Sequence, residues 1–235
     1  MRGTILQPTY LPWIGYFEMI NSSDVFIVFD HVQFERKSWQ QRNKIKTANG
    51  IAYLTVPVQK AHRETKISEI KISYEGYNPF EKHWKTIELS YKKAPYFEKY
   101  KPYFEKIYSK KYVLLRDLNV DIIKLISDIL GVKKKIIFSS EFNLKDGGMG
   151  KSEKVINLCK KAGIDHLYDA KGAEDFLDRA LFQKEGIPID FQEFLHPEYP
   201  QLWGKFAPYL SVIDLIFNRG DKSLDIIKSG IKNNK

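Results

Sequence analysis

Apolar positions along this chain keep two different rhythms. Short unbroken runs begin almost at once, with Ile5-Leu6 inside Thr4 to Gln7 and then V-F-I-V-F at Val25 to Phe29. Continuous β-branched and aromatic runs are the mark of strands buried on both faces, as in a parallel sheet. Ile14 to Asn21 between them reads as a short helix ended by Ser22-Ser23-Asp24, so the first thirty residues predict a βαβ unit with a right-handed crossover. Ala52 to Val58 reads as a strand, with Pro57 placing it at an edge or near its end, after a turn at Ala48-Asn49-Gly50. Ile67 to Ile72 alternates as a short strand or an extended connection.

The helical rhythm then takes over. Asn78-Pro79 opens a helix over Phe80 to Lys93, followed by Tyr96 to Tyr108 and by Leu115 to Leu130, whose Leu118, Ile122, Leu125, Ile126 and Ile129 share a face and whose C-cap is Gly131. Strand and helix alternate again with Ile136 to Phe138, Glu153 to Ala162, Asp165 to Tyr168, Glu174 to Glu185 and an edge strand at Ile187 to Phe191. An apolar helix at Leu210 to Phe217 and a polar, frayed tail from Lys222 to Lys235 close the chain. The prediction is a single α/β domain over 1–235, Rossmann-like, with a mostly parallel sheet flanked by helices and a helical insertion at about 78–131. The glycines of Leu144 to Gly150 predict a hinge or lid rather than a phosphate cradle, because the G-x-x-x-x-G-K-[ST] spacing is missing.

Three stretches keep neither rhythm. Gly3 to Phe17 packs prolines, aromatics and Gly15 between a strand and a helix, which makes a stiff loop that is either a site or an aromatic packing corner. Asp30 to Ile45 is dense in hydrogen-bonding and aromatic side chains, and Leu195 to Gly220 repeats the character of the opening.

The 235 residues, 43% hydrophobic and 14% aromatic, are ample for a core. The net charge of +9 comes largely from lysines interleaved with Glu at helical spacing, the pattern of solvated faces, and no nucleic-acid-binding signature accompanies it. No apolar run approaches the roughly 18 residues of a membrane span, so the reading is a cytoplasmic protein without membrane insertion. A single cysteine, Cys159, excludes an internal disulfide, and the five histidines lack metal-ligand spacing, so no metal is expected.

His31 follows Asp30 at the end of a predicted buried strand, and ligands of open α/β sheets bind outside the carboxyl ends of strands. These two are the candidate catalytic residues, with His31 as base. Arg42 and Asn43 pair an anion fork with an amide, suited to a phosphate or carboxylate at a helix start. His196 stands in a proline-fixed loop, and the polar pair Asp214 and Asn218 needs partners inside an apolar helix.

The blocks Q-P-T-Y-L-P-W-I-G-Y-F (Gln7 to Phe17), D-H-V-Q-F (Asp30 to Phe34), R-N-K-I (Arg42 to Ile45), H-P-E-Y-P-Q (His196 to Gln201) and L-S-V-I-D-L-I-F-N (Leu210 to Asn218) resemble the WbqC-like family over the full length. That resemblance implies a bacterial protein of O-antigen and other surface-polysaccharide gene clusters, and suggests transfer of an acyl or aminoacyl group to a nucleotide-linked amino sugar. A more distant similarity is to nucleotidyltransferases with an H-x-G-H motif, whose layout Trp13-Ile14-Gly15-Tyr16 keeps while both histidines become aromatic. Trp and Tyr cannot supply the charge those histidines give to phosphate in the transition state. The expected binding face is therefore Gln7, Tyr10, Trp13, Gly15, Tyr16, Gln33, Arg42, Asn43, His196, Tyr199 and Gln201. Expected partners are a sugar nucleotide and an acyl or aminoacyl carrier. The alternatives are a nucleotidyltransferase-like or nucleotide-sugar enzyme and a non-catalytic sugar- or nucleotide-binding accessory protein.

Overall fold

A computed structural model describes residues 1–142, 144 and 147–232. Its organising element is a five-stranded parallel sheet formed by β1 (Arg2–Leu6), β2 (Val25–Val28), β5 (Lys135–Phe138), β6 (His166–Asp169) and β7 (Ile189–Phe191), in the spatial order β5-β2-β1-β6-β7. The chain works outward from β1 through β2 to β5, then returns to the other side of β1 for β6 and β7. The strand order therefore reverses between β1 and β6, as in a Rossmann-like fold.

Period-two alternation decides which face each strand residue covers. Ile5, Val25, Ile27 and Leu167 pack with α5 (Lys151–Ala162) and α6 (Arg179–Lys184). Leu6, Phe26, Val28 and Tyr168 belong to the larger core on the opposite face. That core is shared by α1 (Ile14–Asn21), α2 (Pro79–Tyr91), α3 (Phe97–Tyr108), α4 (Leu115–Leu130), α7 (Val212–Arg219) and α8 (Ser223–Ser229). Gly131 caps α4 with φ 71°, a left-handed value that glycine adopts without strain.

Several predicted elements take another form. Arg42 and Asn43 do not start a helix. They open β3 (Arg42–Thr47), which pairs antiparallel with β4 (Gly50–Thr55) across the turn predicted at residues 48–50. The predicted helix over Glu174 to Glu185 shrinks to α6, because the Asp178 side chain accepts from the amides of Ala180 and Leu181 and fixes the N-terminus there. The polar tail contains α8, anchored by fully buried Ser223 and Ile227. Part of the predicted lid at 144–150 lies outside the described residues.

Candidate functional site

The loop after β1 is held by its own backbone oxygens. Asn119 Nδ2 donates to Pro8 O (3.0 Å), Asn43 Nδ2 to Leu11 O (2.6 Å) and the Val212 amide to Pro12 O (2.9 Å). Tyr16 Oη donates to Gln7 O (3.0 Å), and Tyr10 contributes its amide to Trp39 O (3.0 Å). Buried carbonyls need such partners, and these come from α1, α4, α7 and the β3 region. The loop is a scaffolded wall.

Behind that wall, at the point where strand order reverses, lies a crevice of about 650 Å³. Its lining includes Gln7, Thr9, Tyr16, Glu35, Lys151, Lys154 and Asp169. Asp169 ends β6, is 9% exposed and accepts from the amide of Ala170 at 2.7 Å. Among the described residues it forms no ion pair, and burial raises its carboxyl from 3.8 to about 6. The two lysines stand in the first turn of α5, where backbone amides add to their positive potential. Lys151 Nζ also lies 4.7 Å from the ring centre of exposed Phe176.

A second pocket of about 380 Å³ adjoins the crevice, since Thr9 and Tyr16 line both. Its walls are Trp13, Trp39, Tyr209, Asn43 and Lys44. A Cβ on Gly15 would come within 2.3 Å of the Trp13 indole, so the glycine serves as the seat of that ring. Phe194 meets the indole edge-on at 5.5 Å and His196 stacks beside it at 6.3 Å. Tyr209 holds a left-handed φ of 57°, which is strained for a bulky side chain, with its ring centre 5.7 Å from that of Trp13.

The predicted catalytic pair sits at the crevice edge, between the lining residues Phe29 and Val32, and is already engaged. Asp30 is fully buried: its Oδ1 accepts from Ser139 Oγ and the Ser140 amide, each at 3.0 Å, and its Oδ2 from Ser140 Oγ at 2.9 Å and Arg116 at 3.0 Å. Since Ser139 gives its proton to Asp30, the 2.7 Å contact with His31 Nδ1 requires a proton on that nitrogen. Neither residue lines the crevice, whose edge on this side is formed by Phe29 and Val32.

The predicted binding face divides in the same manner. Gln7 and Tyr16 reach the crevice, and Trp13, Tyr16 and Asn43 the aromatic pocket. Asn43 is a brace rather than a reader, its amide nitrogen spent on loop carbonyls. Tyr10 is fully buried, with its hydroxyl 2.8 Å from both His83 Nδ1 and Tyr108 Oη; burial lowers His83 to about 4. Gln201 accepts from Lys46 (3.1 Å) and binds both backbone groups of Ala207. His196 donates Nδ1–H to Pro197 O, its pKa lowered by burial, and stacks against buried Tyr199 behind Trp13. Gln33 is exposed beside Arg36, His62 and Arg63, in a separate pocket that shares Glu35 with the crevice lining. Arg42 lies over the Tyr53 ring at 4.9 Å, two residues along β3 from Lys44. In α7, Asn218 donates to Asp214 O, and Tyr91 to Asp214 Oδ1 at 3.0 Å.

Asp169, Thr9, Trp39, Lys44, Lys151, Lys154 and Tyr209 were absent from the predicted set. The one local signal was an acidic residue closing the apolar run H-L-Y-D at His166 to Asp169. Among the described residues no helix is long and apolar enough to cross a membrane, and no cluster of three His, Cys, Asp or Glu side chains is placed to hold a metal ion.

Comparison with known proteins adds two matches. The sequence model of the WbqC-like protein family covers residues 7–226. An uncharacterized protein of Mycobacterium tuberculosis is 33% identical over 230 residues, 97% of each chain. No solved structure matches the chain.

Proposed function

Because the chain belongs to the WbqC-like protein family, we propose that it is a transferase of surface-polysaccharide assembly, moving an acyl or aminoacyl group onto the amine of a nucleotide-linked amino sugar. The observation that carries this reading is Asp169, a buried carboxylate facing the crevice at the strand reversal, with its pKa raised to about 6. A general base is most effective when it titrates near the working pH, and near pH 7 this carboxylate is deprotonated yet basic enough to take a proton from nitrogen.

The step follows from that placement. The amine lone pair attacks the acyl carbon, the new C–N bond forms, and the bond from that carbon to its activating group breaks. The leaving group departs with the electron pair, and the amine proton passes to Asp169. Lys151 and Lys154 suit an anionic activated donor, whose departing charge they would stabilise. This assigns the base to Asp169 in place of His31, since Asp30 and His31 are engaged with Ser139. The nucleotidyltransferase reading has less support: the Trp13 indole occupies the space over Gly15 at the start of α1, where an H-x-G-H site would approach phosphate.

The test is product mass after incubation with an amino-sugar nucleotide and an acyl or aminoacyl thioester. The proposal expects a mass gain of one acyl group, lost in Asp169→Asn while sugar-nucleotide binding persists. Full turnover by Asp169→Asn would remove the base assignment.

A further inference from the structure

We propose that the pocket of Trp13, Trp39, Tyr209 and Lys44 is the acceptor subsite, and that it takes the pyranose ring of the amino sugar with its diphosphate laid along Lys44 and Arg42. The inference rests on the transferase reading, which it deepens by giving the two substrates separate pockets. The donor belongs to the crevice with Lys151 and Lys154, the acceptor to the aromatic pocket, and the shared rim of Thr9 and Tyr16 is where amine and acyl carbon meet.

Four features carry it. Trp39 and Tyr209 are 51% and 54% exposed, large apolar rings facing solvent beside a concavity, and exposed patches of this kind mark binding surfaces. Tyr209 is held there at a strained backbone angle, and such strain persists where the surroundings impose it, commonly at ligand clamps. Trp13 is fixed by its seat on Gly15 and by Phe194 and His196, so the platform is preorganised. Lys44 Nζ lies 5.6 Å from the Trp39 ring centre, and Arg42 sits two residues away on the same face of β3, which sets a cationic track beside an aromatic shelf.

The ring geometry favours a sugar over a base. Trp13 and Tyr209 are tilted by 49° with centres 5.7 Å apart, which leaves no parallel slot for a planar heterocycle between them. A pyranose presents C–H groups on puckered faces and can rest on one ring while meeting another at an angle.

Saturation-transfer NMR on the full chain tests this with UDP-, dTDP- and GDP-linked amino hexoses, each paired with its free nucleotide. The expected result is saturation strongest on the pyranose protons of at least one compound. Its affinity should fall at least tenfold in Trp39→Ala and in Tyr209→Gly. Tyr209→Gly relieves the left-handed strain but removes the ring contacts with Trp13 and His196, so a thermal melt of each variant separates loss of binding from loss of the fold. The proposal is overturned if no compound binds with a Kd below 1 mM, roughly −4 kcal/mol, if the free nucleotide binds equally well with saturation on its base, or if the two aromatic variants bind normally. Pyranose binding lost in those variants, but with no acylated product from any donor, would count against the transferase reading alone and leave the subsite standing.

Discussion

Asp169 ends β6 and Asp30 lies two residues past β2, the two strands that flank β1; both are buried at the carboxyl edge of the same parallel sheet, and their surroundings differ in almost every respect. Asp30 receives two hydroxyls, an amide and a guanidinium. Asp169 receives the amide of its own neighbour and faces a crevice. A carboxylate with every lone pair engaged ties β2 to β5 and α4. One left short of donors keeps its proton affinity, and that is what acid–base chemistry needs. Position at a strand end is common to both, so the number of donors separates scaffold from site.

Substitutions should break the two apart in opposite directions. Asp30→Ala leaves three donors without their acceptor and Arg116 with Asp117 alone, and removing one partner of a buried ion pair costs about 3 to 5 kcal/mol. Denaturant melts should show that loss as a large fall in midpoint. Asp169→Asn should do the reverse. The Asp169 pKa is raised on folding, so its charged form opposes folding: the cost is absent below 3.8, grows as pH rises toward about 6, and is complete above it. The variant should therefore gain about 3 kcal/mol at pH 8, a gain that disappears at pH 4. Equal gains at both pH values would contradict this account of Asp169.

A smaller effect is expected on the far side of the β1 loop. Gly15→Ala forces the Trp13 indole from its seat and should cost about 1 to 3 kcal/mol, with tryptophan fluorescence shifting as the ring moves. The smallest change belongs to the crevice rim. Lys151→Ala and Lys154→Ala should leave thermal stability within about 0.5 kcal/mol, while weakening binding of an anionic thioester donor in a salt-dependent manner. An unchanged salt dependence would detach the lysines from donor binding.

Much of the frame was legible in the sequence because local and tertiary preferences agree there. α1 and α4 begin and end at the predicted residues, with Ser22 and Gly131 as clear stops, and the unbroken V-F-I-V run of β2 is buried on both faces. β3 was not legible: R-N-K-I-K-T lacks the β-branched alternation of a strand and is held extended by β4, with Lys46 buried against Gln201 and backbone carbonyls. The site was half legible. Trp13 and Tyr16 announced themselves through proline and aromatic density, whereas Asp169 is defined by what surrounds it. Its setting depends on β6 lying against β1, a pairing of residues 2–3 with 166–167 that nothing local encodes. Asp30 drew attention for the same reason in reverse, since its four donors come from residues 86 to 110 positions away.

The most direct test is a carbon-13 NMR titration of the Asp169 side-chain carboxyl, assigned by its disappearance in Asp169→Asn. The account predicts a midpoint of about 6. A midpoint near the ordinary value of about 4 would mean that the crevice hydrates this carboxylate like any surface group, and the proposed base would be lost.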